Sequence, residues 1–157
     1  MEAKINGRIL RESKLLNDAI QKNELYGIQY KLVKEDNPRH LSLFITGPKD
    51  TPYDKGIFEF RVFFTGEYPH VPPKVKLQTK IYHPNINNLG EICLNILKTD
   101  GWNPTINLRT LALSLQGLLE SPNLDDPLNL EVTNHFKSDK ISAENKAIEF
   151  TVKYAVI

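Results

Sequence analysis

The chain holds one cysteine, Cys93, within Gly90-Glu91-Ile92-Cys93-Leu94-Asn95-Ile96-Leu97, downstream of Ile81-Tyr82-His83-Pro84-Asn85. A lone thiol cannot close an internal disulfide, and no second cysteine is present to build a thiolate metal cage. Two roles remain. As a small apolar side chain it would fill core space; as a nucleophile it would carry an acyl group as a thioester. Free cysteine is among the most buried residue types, so core filling is the default for an arbitrary lone thiol. The residues around Cys93 reverse that weighting.

Hydrolysis fits poorly. A cysteine protease needs a histidine base oriented by a third group. The histidines are His40, His70, His83 and His135. His40 begins a strand and His135 lies in a late helix, both positions expected at the surface. His83, between a tyrosine and a proline, is expected to make a fixed structural hydrogen bond. No His/Asp/Glu grouping has metal-ligand spacing, so no metal is expected. Acyl transfer from a thioester to an amine demands less: an oxyanion must be stabilised and an incoming ammonium must lose its proton. Asn85 offers an amide for the oxyanion, or for pinning the loop that creates its site. Asp126, if folded close to Cys93, would orient an incoming lysine or ease its deprotonation. Each also has a plainer role, Asn85 as a turn residue and Asp126 as a helix-cap acid.

These groups need a scaffold. The 157 residues, 40% of them apolar and 25% charged, suit one domain over 1–157 with a sizeable core. A net charge of +1 argues against a dominant nucleic-acid or membrane field. No apolar run spans a bilayer, the N-terminus does not read as a signal sequence, and an unpaired thiol suits the reducing cytoplasm or nucleus.

Residues 4–22 carry a helical pattern, with Ile5, Ile9, Leu16 and Ile20 on one side and Lys4, Arg8, Arg11 and Leu15 on a flank. That flank is either solvated or a docking strip for an acidic partner. Period-two alternation marks strands at 28–34, 40–46 and 57–64; a fourth follows at 74–78, and short connections predict an antiparallel meander. Tyr68-Pro69-His70-Val71-Pro72-Pro73 is a stiff loop. Residues 79–106 show no long period, and such a segment inside a compact domain is more often functional than accidental. A helix resumes near Asn107 with Leu108, Leu111, Ala112, Leu115, Leu118 and Leu119 as its buried stripe. Leu113 falls almost opposite, beside Thr110 and Gly117. Helices over 130–138 and 142–155 follow, the last capped by Ser142 with Ala143, Ala147, Phe150 and Tyr154 facing inward.

From the first helix to Ala155 the chain resembles the ubiquitin-conjugating enzyme family. The matching motifs are Gly47-Pro48 with Thr51-Pro52-Tyr53 and Gly56, then Tyr68-Pro69 with Pro72-Pro73-Lys74-Val75. His83-Pro84-Asn85, Gly90 and Ile92-Cys93-Leu94 are the most specific. Trp102, Pro104 and Pro122-Asn123 with Asp125-Asp126-Pro127-Leu128-Asn129 complete the set. The resemblance implies an α+β fold: an N-terminal helix, a four-stranded antiparallel meander, a central helix and two C-terminal helices. It implies that Cys93 receives the terminal glycine of ubiquitin, or of a ubiquitin-like protein, from an activating enzyme. The acyl group then passes to a substrate lysine or a ligase cysteine. No cofactor is bound directly, since ATP is consumed by the activating enzyme.

Residue by residue, the resemblance makes Asn85 an oxyanion or loop stabiliser, Asp126 the gate acid, and Leu128 the other side of the gate. His83 is structural and Trp102 packs beneath the site. Lys4, Arg8 and Arg11, with the loops Pro69-His70 and Asn103-Pro104-Thr105, fall on the surface that binds activating enzyme and ligases. Leu113, with Gly117, faces the carried ubiquitin. Three departures bear on partners. Asn95 replaces the aspartate of many ubiquitin carriers and is found in some carriers of ubiquitin-like proteins. His70 replaces a large apolar residue of the ligase loop. The turn Thr99-Asp100-Gly101 is one residue longer than in the lysine-63-chain type, which Thr79–Asn85 and Asn88-Leu89-Gly90 resemble. That type needs an inactive conjugating-enzyme variant as partner, gripped partly by a methionine at the position of His70, which argues against the assignment. Two alternatives follow: a non-catalytic ubiquitin-binding scaffold of the same fold, which the cysteine disfavours, or a carrier of a ubiquitin-like modifier.

Overall fold

The computed structural model describes residues 7–156. Helix α1 (Gly7–Gln21) leads into strands β1 (Ile28–Leu32), β2 (His40–Thr46), β3 (Ile57–Phe63) and β4 (Lys74–Leu77). Helices α2 (Leu108–Glu120), α3 (Leu130–Ser138) and α4 (Lys140–Tyr154) complete the order. The strands pair in sequence order, β1-β2-β3-β4, each antiparallel to the next. This is the expected α+β arrangement.

Period-two alternation becomes three rows across the sheet. Ile28, Ile45 and Phe58 form one row; Tyr30, Leu43, Phe60 and Leu77 the second; Leu32, Leu41, Val62 and Val75 the third. Ile28, Leu41, Leu43, Ile45, Phe58, Phe60 and Val62 are fully buried, each contributing about 1.5–3 kcal/mol of apolar burial. Helix α2 covers β2 with its predicted stripe, and α1 packs on both α2 and β1. Asn107 caps α2 by accepting the Thr110 amide at 2.9 Å.

A buried acid unites the helices. The Glu12 carboxylate accepts the Tyr68 hydroxyl and, through Oε1, the Leu108 main-chain amide at 2.8 Å. The carboxylate thus meets the positive end of α2 and closes one of its orphan donors. Burial is the main cause, and the Glu12 hydrogen bond the second, of a Tyr68 pKa held well above the ordinary phenol value.

Some expectations change. Ser142 does not cap α4; Asp139 does, its carboxylate accepting the Ser142 amide at 3.1 Å, so α4 starts at Lys140. Asp139 also ends α3, so one residue separates the two helices. His135 is half-buried instead of surface-lying, its ring bridging the Tyr82 hydroxyl at 2.7 Å and the Ser142 hydroxyl at 3.0 Å. His40 is also half-buried, edge-on to Phe63. Lys4 and Ile5 lie outside the described residues. Among the described residues no helix is long and apolar enough to cross a membrane.

Candidate active site

Between β4 and α2 the chain has one short 3-10 turn, Asn95–Leu97, and two isolated bridges, as the missing periodicity predicted. Such a segment needs other fastenings. Gly90 supplies one. Its φ is +80°, and a Cβ there would come within 2.2 Å of the Leu77 carbonyl oxygen. Only glycine lets the loop lie against β4 closely enough for the Leu77 amide to bond the Gly90 carbonyl at 2.9 Å.

The tripeptide His83-Pro84-Asn85 is the main bracket. His83 is fully buried; its Nδ1 accepts the Asn85 amide at 3.0 Å, and its Nε2 lies 2.9 Å from the Leu118 carbonyl of α2. The neutral ring therefore carries its proton on Nε2 and donates it to Leu118. Burial drives its pKa down to about 4, against the opposing pull of that carbonyl. The Pro84 carbonyl accepts both the Leu128 and Asn129 amides, at 3.1 and 2.9 Å.

Asn85 is fully buried and reaches in two directions. Its main-chain carbonyl accepts the Cys93 amide at 2.8 Å. Its side chain donates from Nδ2 to the carbonyls of Asn123 at 2.8 Å and Asp126 at 2.9 Å, and Oδ1 accepts the Asn123 amide at 2.8 Å. Both amide hydrogens are therefore used on the 123–126 loop. Of the two roles open to Asn85, the geometry here is that of loop pinning.

Cys93 and Asp126 are brought together by that bracket. The thiol is half-buried and donates to Asp126 Oδ2 at 3.3 Å. Lys98, which sequence inspection did not single out, forms an ion pair with the same oxygen. Partial burial, followed by the hydrogen bond and charge of Asp126, raises the Cys93 thiol above its ordinary pKa; Lys98 pulls the other way. The Lys98 hydrogen bond, then that of Cys93, holds Asp126 below the ordinary carboxyl range. At neutral pH the site is therefore a thiol, a carboxylate and an ammonium. A carboxylate stabilises a nearby ammonium, so Asp126 can seat an incoming amine but does not lower that amine's pKa. Leu128 stands 38% exposed in the same loop.

Trp102 ties two loops together. Its indole donates to the Pro69 carbonyl at 2.9 Å and its ring meets Tyr68, so it joins the Tyr68–His70 loop to the Asn103–Thr105 turn. Arg8 is half-buried, bonding Glu12 at 2.8 Å and the Ile106 carbonyl at 2.9 Å and lying over the Tyr68 ring. It is a brace between α1 and these loops, not a solvated member of a strip. Arg11, His70, Asn103, Pro104 and Thr105 are exposed and Pro69 half-buried. On α2, Leu113 is 43% exposed and Gly117 has open space above it.

Comparison with known proteins gives the architecture a family. The family model described as "Ubiquitin-conjugating enzyme" matches residues 8–151. The chain is 47% identical over 122 residues to "Ubiquitin-conjugating enzyme E2 N" of Drosophila melanogaster, covering 78% of this chain and 80% of that protein. It is 42% identical over 154 residues to "Ubiquitin-conjugating enzyme E2 13" of Saccharomyces cerevisiae, covering 98% and 96%. A family model matched over most of the chain, and a relative of that name aligned nearly end to end, place this chain in the family of ubiquitin-conjugating enzymes, which are transferases.

Proposed function

We propose that Cys93 is the atom-level carrier: it takes the C-terminal carboxyl of ubiquitin as a thioester and yields it to an amine or to a ligase thiol. The single observation that carries this is the half-buried Cys93 thiol held 3.3 Å from the Asp126 carboxylate by the Asn85 bracket.

In loading, the Cys93 sulfur attacks the thioester carbonyl presented on the activating enzyme. A new S–C bond forms, the old one breaks, and the thiol proton passes to the departing sulfur or to water. ATP is consumed upstream, in making that first thioester. In transfer, the substrate ammonium first gives one proton to solvent at Asp126. Its nitrogen attacks the carbonyl, the C–S bond breaks, and the second proton goes to the Cys93 sulfur. The thioester is already activated, so a thiol of raised pKa is compatible with the chemistry.

Activating enzyme and ligases dock on Arg11 of α1 and on the loops of Pro69-His70 and Asn103-Pro104-Thr105, which Trp102 and Arg8 brace into one surface. The carried ubiquitin lies over Leu113 and Gly117. A thiol that must stay free to react suits the reducing cytoplasm or nucleus.

Charging reactions with a panel of activating enzymes, each with ATP and its own modifier, test the proposal. A reductant-sensitive adduct with ubiquitin, absent from Cys93→Ala, is the expected result. Charging only with another modifier identifies a ubiquitin-like carrier, whereas ubiquitin binding with no adduct of any kind identifies a scaffold.

A further inference from the structure

We infer that Lys98 occupies the ammonium seat on Asp126 that a substrate lysine must take, acting as a displaceable placeholder that sets how readily loaded Cys93 reacts with amines. The inference rests on Cys93 being the carrier. Lys98 Nζ bonds Asp126 Oδ2, and that oxygen is the one accepting the Cys93 thiol at 3.3 Å. Any lysine attacking a carbonyl on the Cys93 sulfur brings an ammonium to the same few ångströms. Asp126 is the acceptor hydrogen-bonded to that sulfur, and a chemically identical group already sits on it.

The backbone of Lys98 is fixed by hydrogen bonds while its head is open to solvent. Its amide bonds the Asn95 carbonyl at 3.1 Å, and its carbonyl accepts the amides of Gly101 at 3.0 Å and Trp102 at 2.8 Å. The side chains of Lys98 and Asp126 are 41% and 48% exposed, so water competes for their ion pair and a second ammonium can replace the first. Loading removes the S–H donor from Asp126, and the carboxylate is then shared between Lys98 and the entering amine. Lys98 is thus a positioning residue, acting through Asp126.

The test compares wild-type protein with Lys98→Gln and Lys98→Arg, each loaded with ubiquitin and then discharged. Lys98→Gln should lower the half-saturating concentration of free lysine roughly 2- to 5-fold, the strength of an exposed ion pair, with the limiting rate preserved. Discharge to hydroxylamine, a neutral nucleophile that needs no ammonium seat, should stay within about twofold of wild type on the same grounds. Lys98→Arg should restore the wild-type lysine dependence. In the unloaded protein, the pH profile of iodoacetamide alkylation should move upward in Lys98→Gln, because a cation beside the thiol is gone. An unchanged or raised lysine requirement in Lys98→Gln, or equal acceleration toward lysine and hydroxylamine, overturns the placeholder role and leaves the carrier proposal standing. Failure of the wild type to form any thioester overturns both.

Discussion

The Asn85 side chain donates to the main-chain carbonyl of Asp126 at 2.9 Å, placing a fully buried amide directly behind the carboxylate that meets Cys93. The acid that faces the thiol is thus positioned by the residue whose own carbonyl holds the thiol's backbone. One residue sets both halves of the site, the acid through its side chain and the thiol through its main chain.

Asn85→Ala strips three hydrogen bonds from the 123–126 loop and leaves buried polar groups unpaired, at about 1–3 kcal/mol each where they stay dry. The Cys93 amide bond comes from the Asn85 main chain and survives. Single-turnover assays should therefore show lysine discharge slowed more than loading, together with a lower urea midpoint. Equal slowing of both steps contradicts a role confined to transfer.

Asp126→Asn keeps the shape and deletes the charge. Discharge to free lysine should fall roughly 2- to 5-fold near neutral pH, the strength of an exposed ion pair, while loading changes little. The thiol should also titrate lower, because the Asp126 hydrogen bond and charge raise it. Iodoacetamide alkylation followed against pH reads this directly; an upward shift would contradict the assigned contact.

His83 makes stability depend on pH. Its folded pKa is about 4 against an ordinary 6.5, so the unfolded chain takes up the proton first. Stability from this residue is complete above pH 6.5, falls as pH drops toward 4, and levels off below that. The span is roughly 3 kcal/mol. Protonating Nδ1 would also set it against the Asn85 amide it now accepts. Urea midpoints for wild type and His83→Gln should diverge above pH 6.5 and converge toward pH 4; parallel curves would contradict the assignment.

Gly117 lies inside α2, where a Cβ would project into open space away from the helix backbone. Gly117→Ala should therefore stabilise the protein by about 0.5–1 kcal/mol, read from chemical denaturation. Leu113→Arg on the same face should leave loading intact and slow ligase-stimulated discharge, if the carried ubiquitin lies there. Unimpaired discharge from Leu113→Arg would remove this face as the seat of the carried ubiquitin.

The sheet was legible because alternation reports directly on which side chains face the core: Leu41, Leu43, Ile45, Phe58, Phe60 and Val62 are all buried. The α2 stripe and the outlying Leu113 were legible for the same reason at helical period. Cys93, Asn85 and Asp126 could be nominated because their residue types and motifs carry chemistry. Lys98 could not: a lysine in an irregular loop looks like any solvated charge until folding brings residues 98 and 126 together. The only available signal was a cation shortly after the cysteine. Arg8 misled in the opposite sense, since helical period places it on an exposed flank and cannot anticipate its contacts with Tyr68 and Ile106. The α4 cap moved because Asp139 and Ser142 are both good capping residues three positions apart, and it is the Asp139 carboxylate that accepts the Ser142 amide.

The central claim is that ubiquitin is held on the Cys93 sulfur. Peptide mapping of the charged protein by mass spectrometry, beside Cys93→Ser, tests this most directly. The account predicts a labile thioester at Cys93 and, in the serine variant, an oxygen ester that resists thiol reductant but yields to alkali. A linkage mapped to any other residue, or a reductant-sensitive adduct persisting in Cys93→Ser, would contradict it.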